Sequence, residues 1–203
     1  MKFYSQANQD KWVCEFFKYK KDGFFIEIGA YDGIQTSNTY SLEKYLNWNG
    51  ICIEPELSVF SKLSKNRISK NYNVAITSYD GYCKFKNDKI DIFGYSIKCN
   101  KLNTLLENTN CPKEIDYISI DIEGEEYNVL QCFDFNVWDI KLITIEHNLY
   151  LNGPEQKNKL YELLTRNNFI RDVDNALCLD PDPRYYGKPY EDWYINKKYL
   201  TGY

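Results

Sequence analysis

The chain has 203 residues, of which 43% are hydrophobic and 27% charged, with a formal net charge of −4. At this length we expect one domain over residues 1–203. The negative charge argues against a nucleic-acid partner, because such partners are held by clustered Lys and Arg. No apolar run approaches the ~20 residues of a membrane span, and no signal peptide opens the chain, so we expect a cytoplasmic protein without a membrane span.

Apolar runs of strand length alternate with amphipathic stretches, which is typical of βαβ units in a parallel sheet. After an N-terminal helical lead-in at 1–22, strands are predicted at 23–28, 50–54, 72–76, 115–121 and 140–146. Helices are predicted at 40–46, 55–63, 125–131 and 155–167. Two late strands, 169–173 and 176–179, are expected to form an antiparallel closing pair. The pattern predicts an α/β fold with a mostly parallel sheet of about seven strands and helices on both faces.

Two segments depart from this alternation. Residues 78–100 carry Asp80-Gly81 and Phe93-Gly94 turn signals and are predicted to form an inserted hairpin at the edge of the site or on the sheet rim. Residues 181–203 concentrate aromatic side chains that could line a sugar site, pack on the sheet edge or contact a partner in a homodimer. These aromatic residues are Tyr185, Tyr186, Tyr190, Trp193 and Tyr194.

The first predicted strand runs into the turn E-I-G-A-Y-D-G. There Gly29 allows a tight turn, Ala30 keeps the loop slim and Gly33 allows close approach to a ligand. The second glycine of the dinucleotide motif G-x-G-x-x-G is missing. Glu27 and Asp32 would repel a pyrophosphate, but they suit a sulfonium and an ammonium group. The turn therefore favours S-adenosylmethionine over NAD.

Acidic residues also end the second and fourth predicted strands. Glu54 follows Gly29 at a spacing near the roughly 20 residues at which a carboxylate reaches a ribose diol. Its alternative role is to cap the helix that starts at Pro55. Asp121 ends the apolar run of the fourth strand, where burial of a carboxylate is costly without a purpose. Ligands bind at the carboxyl ends of parallel strands, so we expect both side chains near one crevice.

Five segments in this order resemble the FkbM-type methyltransferase family: YSQANQDKW, FFIEIGAYDG, SNTYSLEKYLNWNGICIEPE, DYISIDIEGEEYNVL and ITIEHN. The resemblance covers Tyr4 to about Asn148. It implies a Rossmann-like class I methyltransferase fold, S-adenosylmethionine as donor and, commonly, a hydroxyl acceptor on a sugar or glycan. It also implies that Gln6, Gln9 and Asp10 lie near the cofactor entrance. The expected cofactor-binding set is Gln9, Glu27, Gly29, Ala30, Asp32, Gly33, Ser37, Asn38, Glu54, Asp121 and Glu123.

Methyl transfer to a sugar hydroxyl needs an activated oxygen, because a sugar hydroxyl is a very weak acid. The candidates follow the fourth and fifth predicted strands, and Asp121, Glu146 and His147 are the expected catalytic residues. His147 is the only histidine and is expected to act as general base or ligand, although a lone histidine is more often structural. In some sugar O-methyltransferases an acid after one strand and an acid pair after the next hold a divalent ion. Asp121 with Glu146-His147 looks similar, so Mn²⁺ or Mg²⁺ is a candidate cofactor.

The sequence thus predicts an O-methyltransferase with a carbohydrate acceptor in a glycan or glycan precursor. An NAD-linked oxidoreductase on the same fold and a glycan-binding module without turnover are the alternatives. The abundance of Tyr, Asn, Lys and Ile is compatible with the AT-biased genomes of some viruses, in which case the compartment would be the host cytoplasm.

Overall fold

A computed structural model describes residues 1–86 and 89–200. Residues 87–88 of the expected insert and residues 201–203 of the aromatic segment lie outside the described residues. The helices are α1 Gln9–Phe16, α2 Tyr40–Leu46, α3 Leu57–Asn66, α4 Leu102–Asn108, α5 Glu126–Leu130, α6 Leu149–Asn152 and α7 Pro154–Arg166. The strands are β1 Phe24–Ile28, β2 Asn49–Ile53, β3 Lys70–Tyr72, β4 Ala75–Ile76, β5 Gly81–Lys86, β6 Lys89–Ile90, β7 Tyr95–Asn100, β8 Glu114–Ile120, β9 Asp139–Glu146, β10 Phe169–Leu177 and β11 Pro189–Asn196.

The main sheet has seven strands in the order β10-β11-β9-β8-β1-β2-β3. Strands β9, β8, β1, β2 and β3 are parallel, whereas β11 runs antiparallel to both β9 and β10. A second sheet has the order β4-β7-β5-β6. The predicted α/β fold with a mostly parallel sheet of about seven strands is confirmed, and antiparallel strands lie at one edge of the sheet.

Both faces of the main sheet are apolar, which is why its central strands are continuous hydrophobic runs. On one face, Ile26 of β1 pairs with Ile118 of β8, and buried leucines of α4, α5 and α7 cover these side chains. On the other face, Phe25 pairs with Tyr117 under residues of α1, α2 and α3. The parallel strands therefore end together at one edge, between two helical layers.

The predicted strand 72–76 is wrong, because the chain there contributes to two different sheets. β3 ends at Tyr72 in the main sheet, and β4 begins at Ala75 in the second sheet. Between them the Asn73 side chain donates hydrogen bonds of 2.9 Å to the carbonyl oxygens of Glu54 and Pro55. These bonds turn the chain away from the main sheet, an effect that local hydrophobicity does not reveal.

The predicted pairing of 169–173 with 176–179 is also wrong. β10 is one strand across both segments, and its partner β11 lies between β10 and β9. The register between β10 and β11 is irregular around residues 174–175, and there the Asn175 N–H donates to Asp192 of β11. The aromatic segment is thus partly an interior strand. Tyr190, Trp193 and Tyr194 are buried in it and form neither an open sugar wall nor a tail on the sheet edge.

Helix α4 is an element that the sequence analysis does not predict. Its Leu102, Leu105 and Leu106 have the spacing of one helical face and are buried in the core. None of the helices in the described part of the chain is both long and apolar enough to cross a membrane.

Candidate active site

A cavity lies at the carboxyl ends of β1, β2 and β8, between the main sheet and the second sheet. Its polar lining consists of Glu54, Asp121, Glu123 and Glu125, with Tyr31 and Thr36. Its apolar lining consists of Ile28, Ile53, Pro55, Val74, Ala75, Ile76, Phe85, Ile90 and Ile122. The cavity therefore combines an extensive apolar lining with four carboxylate side chains.

The turn after β1 is built around Gly29, whose φ of +84° lies in the left-handed region. A Cβ at this position would lie 1.8 Å from the carbonyl oxygen of Asp121. The N–H groups of Gly29 and Ala30 both donate to the Ile53 carbonyl of β2. Only glycine lets the turn after β1 approach the end of β8 this closely.

Glu54 is held at the end of β2 by backbone donors. Its Oε2 accepts from the Tyr31 N–H at 3.0 Å, and its Oε1 accepts from the Glu56 N–H at 2.8 Å. The carboxylate is thus fixed at the cavity wall with each oxygen oriented. Since a carboxylate oxygen can accept more than one hydrogen bond, this geometry suits a diol ligand.

Asp121, Glu123 and Glu146 form a cluster in which one oxygen of each lies within 4.8 Å of the others. Burial, followed by the charges of Glu123 and Glu126, raises the pKa of Asp121 to about 7. Burial and the charge of Asp121 raise the pKa of Glu146 well above its usual range. Among the described residues, Glu146 Oε2 is buried and has no hydrogen-bond partner. The cluster therefore retains protons near neutral pH and has the capacity to accept a cation.

The loop after β8 positions this cluster. Glu123 has a φ of 56°, a left-handed conformation that costs a non-glycine residue free energy. The N–H groups of Ile122 and Gly124 donate to the Glu126 carboxylate, which also accepts from Gln156 of α7. Glu126 therefore organises the loop, while Glu123 stands on the exposed side of the cluster.

His147 does not join the cluster, which corrects the predicted grouping with Asp121 and Glu146. Consecutive strand residues project to opposite faces, so His147 lies across the sheet from Glu146. Its Nε2 lies 3.2 Å from Asp192, and its Nδ1 accepts from the Leu149 N–H at 3.2 Å. The ring is 1% exposed. Both nitrogens are engaged in a buried structural contact, and Glu123 takes the third position of the cluster.

Asp192 is the centre of that structural contact. Burial alone would raise the pKa of Asp192, but hydrogen bonds from His147 and the Asn175 N–H, with the charge of Lys157, lower it to about 2. Arg171 also lies 3.0 Å from the carboxylate. Asp192 is thus an ionised group that ties β9, β10, β11 and α7 together.

A second buried network holds several of the expected cofactor contacts. Glu27 accepts hydrogen bonds from Ser37 Oγ at 3.0 Å and from the Asn38 N–H at 2.6 Å. Arg67 Nη1 lies 3.0 Å from the same carboxylate, and Arg67 Nε lies 3.1 Å from Glu43. The Arg67 side chain is fully buried. This network holds the segment around Ser37 and Asn38 against β1 and does not line the cavity.

Gln9 and Asp10 anchor the N-terminal segment. Gln9 Oε1 accepts from the Ala7 N–H, and its Nε2 donates to the Tyr190 hydroxyl at 2.5 Å. Asp10 accepts from the Tyr4 N–H and is fully buried. Both side chains are hydrogen-bonded within the protein, and neither lines the cavity.

The role expected for Gly33 is also different in the structure. A Cβ on Gly33 would lie 2.6 Å from Leu63 and from Arg67, so this glycine permits packing on α3 and not the approach of a ligand. Asp32 Oδ1 accepts from the N–H groups of Ile34 and Gln35 and shapes the loop. The expected contacts that do not line the cavity are Gln6, Gln9, Asp10, Glu27, Ala30, Asp32, Gly33, Ser37 and Asn38.

Glu191 is a buried acidic residue near the site for which the sequence analysis predicts no role. It lies opposite Glu146 in the β9–β11 register and is 1% exposed. Burial raises its pKa to about 8, while hydrogen bonds from Gln9 and Trp193 act in the opposite direction. Recognising 189–196 as a strand would have placed Glu191 beside the acidic cluster.

Comparisons with known proteins agree with this architecture. A family model for the methyltransferase FkbM domain matches residues 89–174, from β6 into β10. The crystal structure of an FkbM methyltransferase from Methylobacillus flagellatus is similar, with a TM-score of 0.57 and 12% identity over 87% of this chain and 44% of that chain. This chain therefore spans less than half of that protein. A comparison with curated proteins found no significant match.

Two further solved structures share the fold at low identity. A precorrin-6y C5,15-methyltransferase from Geobacter metallireducens has a TM-score of 0.53 and 10% identity, covering 92% of this chain and 86% of that one. Fibrillarin from Aeropyrum pernix, solved with natively bound S-adenosyl-L-methionine, has a TM-score of 0.53 and 11% identity, covering 93% and 76%. The resemblance to FkbM-type methyltransferases is therefore confirmed, and the chain has a class I S-adenosylmethionine methyltransferase fold.

Proposed function

We propose that the protein is an S-adenosylmethionine-dependent O-methyltransferase that acts on a sugar hydroxyl of a glycan or glycan precursor. The observation that carries this proposal is the cavity in which Glu54 and Asp121 stand on either side of the Gly29 turn. The match to the FkbM methyltransferase domain supports the reaction class.

The cavity fits the donor by its chemistry. The apolar side chains of the lining, among them Ile53, Ile76 and Phe85, suit an adenine ring, and Glu54 suits the ribose hydroxyls. The carboxyl group of Asp121 suits the positive charge of the sulfonium and ammonium groups. When bound, S-adenosylmethionine supplies an electrophilic methyl group. The oxygen–carbon bond forms as the carbon–sulfur bond breaks, and the acceptor hydroxyl must lose its proton.

We propose that the Asp121–Glu146 pair, rather than His147, accepts this proton. A general base works best when its pKa is near the working pH, and the pKa of Asp121 is about 7. Burial and the charge of Asp121 raise the pKa of Glu146 well above its usual range, which favours a proton on this second carboxyl while Asp121 is ionised. In this mechanism the ionised Asp121 carboxylate accepts the hydroxyl proton, while His147 supports the sheet.

A divalent metal stays part of the proposal with a revised set of ligands. Asp121, Glu123 and Glu146 offer three carboxylates, and the buried unpartnered Glu146 Oε2 indicates that the site fits a cation. All-oxygen ligation suits Mg²⁺ or Mn²⁺. Such an ion would supply Lewis-acid activation of the hydroxyl in place of base catalysis by Asp121, with the three carboxylates deprotonated as its ligands and the acidified hydroxyl losing its proton to solvent.

The carboxyl groups in the cavity also restrict the charge of the acceptor. A phosphate or uronate next to Asp121 and Glu123 would face like charges, so a neutral sugar hydroxyl is the preferred acceptor. We further propose a cytoplasmic location, with a homodimer as the candidate assembly.

Transfer of a methyl label tests the proposal. Methyl-labelled S-adenosylmethionine is incubated with neutral glycosides and with uronate glycosides, with Mn²⁺ or with a chelator. We expect label on a neutral hydroxyl and about a 10²-fold or larger loss for Asp121→Asn, with Glu107→Gln on exposed α4 as control. Stabilisation by NAD but not by S-adenosylhomocysteine would favour the oxidoreductase, and donor-independent glycoside binding would favour the binding module.

A further inference from the structure

The second sheet has two chemically different faces. Along β5, Cys83 and Phe85 are buried, whereas Tyr82, Lys84 and Lys86 are exposed. Phe85 lines the cavity, so its face is the inner face. The alternate residues form an exposed outer face, and none of Tyr82, Lys84 and Lys86 belongs to a core cluster of the described residues.

Strand β7 extends this outer face. In the antiparallel pairing, Tyr82 lies opposite Lys98, and Lys84 lies opposite Ser96. Directly paired residues share a face, so Lys98 joins Lys84 and Lys86. Neither β5 nor β7 contains Asp or Glu. Strands β5 and β7 thus contribute only positive charge to this face, although the net charge of the chain is −4, and the adjoining connection adds Asp91, whose carboxylate accepts from the Phe93 N–H.

The connection from β6 to β7 adds exposed apolar side chains. Because β6 and β7 flank β5 on opposite sides, residues 91–94 must cross over β5. A Cβ on Gly94 would lie 2.2 Å from the Phe85 backbone oxygen, so the crossing lies directly over that residue. The Phe85 ring occupies the inner side, which places the crossing on the outer side. Ile92 and Phe93 there are 80% and 82% exposed.

We propose that this basic apolar face, defined as Tyr82, Lys84, Lys86, Ile92, Phe93 and Lys98, docks the protein on an anionic membrane surface. Adjacent large apolar side chains enter the boundary between headgroups and acyl chains, and nearby lysines attract anionic headgroups. The aliphatic Ile92 favours a membrane over a nucleic acid, because it enters the acyl boundary but does not stack on a base, whereas Tyr82 and Phe93 suit either ligand.

Docking by this face would set the cavity at the membrane surface, since the inner face of the same sheet supplies Phe85 and Ile90 to the cavity wall. The inference goes beyond the proposed function and does not depend on it. The docking contacts lie on the outer face, and none of them belongs to the acidic cluster or the donor cavity.

Co-sedimentation with vesicles tests the docking directly. The full chain is mixed with phosphatidylcholine vesicles, with or without phosphatidylserine, at low and high salt. We expect binding only to the anionic vesicles, with loss at high salt because screening shortens the reach of the lysines to a few ångströms. The variants Ile92→Ser/Phe93→Ser and Lys84→Glu/Lys98→Glu should each lower the bound fraction about fivefold or more.

Two matched substitutions serve as controls. Ile68→Ser removes an isoleucine that is 88% exposed between α3 and β3, and Lys62→Glu reverses an exposed lysine on α3. Both should bind vesicles like the unmodified chain. All variants should keep the unmodified thermal midpoint and affinity for S-adenosylhomocysteine, which shows that a loss of vesicle binding is not a loss of fold.

Three results would overturn the docking proposal: no binding of the unmodified chain to anionic vesicles, equal binding to neutral vesicles, or full binding by both outer-face variants. Binding of a single-stranded RNA that the same variants abolish, without vesicle binding, would also overturn it. Since no methyl transfer is measured, a negative result here leaves the donor and acceptor assignments intact.

Discussion

Gly29 and Asp121 meet where β1 and β8 end, and a side chain on Gly29 would collide with the Asp121 carbonyl oxygen at 1.8 Å. This contact joins the turn that faces the donor to the residue proposed to accept the hydroxyl proton. The spacing of donor and base is therefore determined by one close backbone approach between neighbouring parallel strands.

Substitution of Gly29 by alanine should damage both fold and donor binding. The Cβ must displace the end of β8, which we expect to lower the free energy of unfolding by about 2–4 kcal/mol. Gly187→Ala is the matched control, because Gly187 also has a positive φ of +71° but no atom lies within 4 Å of its Cβ position. Urea unfolding and donor calorimetry measure both effects. Equal losses of stability and donor affinity in the two variants would show that the strain of a positive φ, and not the contact with Asp121, causes the damage.

Substitution of Arg67 by methionine should strongly destabilise the protein. It would leave the buried carboxylates of Glu27 and Glu43 without their cation, and we expect a loss of about 3–5 kcal/mol by urea unfolding. The exposed Arg166 of α7 provides the control Arg166→Met, with little change expected. A loss below about 1 kcal/mol for Arg67→Met would contradict the structural role of this network.

Substitution of Glu123 by glutamine should change the pH dependence of methyl transfer. After burial, the charge of Glu123 is the largest cause that raises the pKa of Asp121 to about 7. The base acts when ionised, so kcat/KM should rise as pH passes through about 7. Without the Glu123 charge, the pKa of Asp121 falls and this rise should move to lower pH.

The exposed Glu155 of α7 gives the control Glu155→Gln, which should leave the pH profile in place. An unchanged profile for Glu123→Gln would mean that Asp121 is not the titrating base. Repeating the profile with a chelator separates the charge of Glu123 from its proposed role as a metal ligand, because only the latter depends on the ion.

Substitution of His147 by glutamine should impair stability rather than chemistry. The His147 ring is 1% exposed and contacts Asp192 across the sheet from Glu146. We expect a loss of about 1–3 kcal/mol in the free energy of unfolding, with kcat retained within a few-fold below the unfolding transition. A loss of kcat as large as that of Asp121→Asn in the folded variant would restore His147 as the base.

The class of fold can be predicted from the sequence because the strongest signals are local. Isoleucine-rich strands followed by amphipathic helices predict the parallel sheet, and glycine or acidic residues mark the strand ends. Gly29, Glu54 and Asp121 lie together in one cavity for this reason. Their roles in binding and catalysis stay predictions.

The rest depends on contacts between distant segments. Glu191 reaches the acidic region only because β11 inserts between β9 and β10. His147 turns away because its neighbour Glu146 already faces the cluster, and Asp192 of β11 offers it a partner. The pairing of β11 with β9 and β10 does not follow from the local pattern, so the sequence does not predict that His147 contacts Asp192 or that Tyr190, Trp193 and Tyr194 are buried in an interior strand.

Calorimetric titration with S-adenosylmethionine tests the assignment of the cavity to the donor most directly. We expect one binding site per chain and an affinity lowered about tenfold or more by Glu54→Gln, which weakens the acceptors for the ribose hydroxyls. Glu107→Gln, on the exposed surface of α4, should bind like the unmodified chain. No heat of binding, or equal affinity for Glu54→Gln and the unmodified chain, would contradict the assignment of this cavity to the donor.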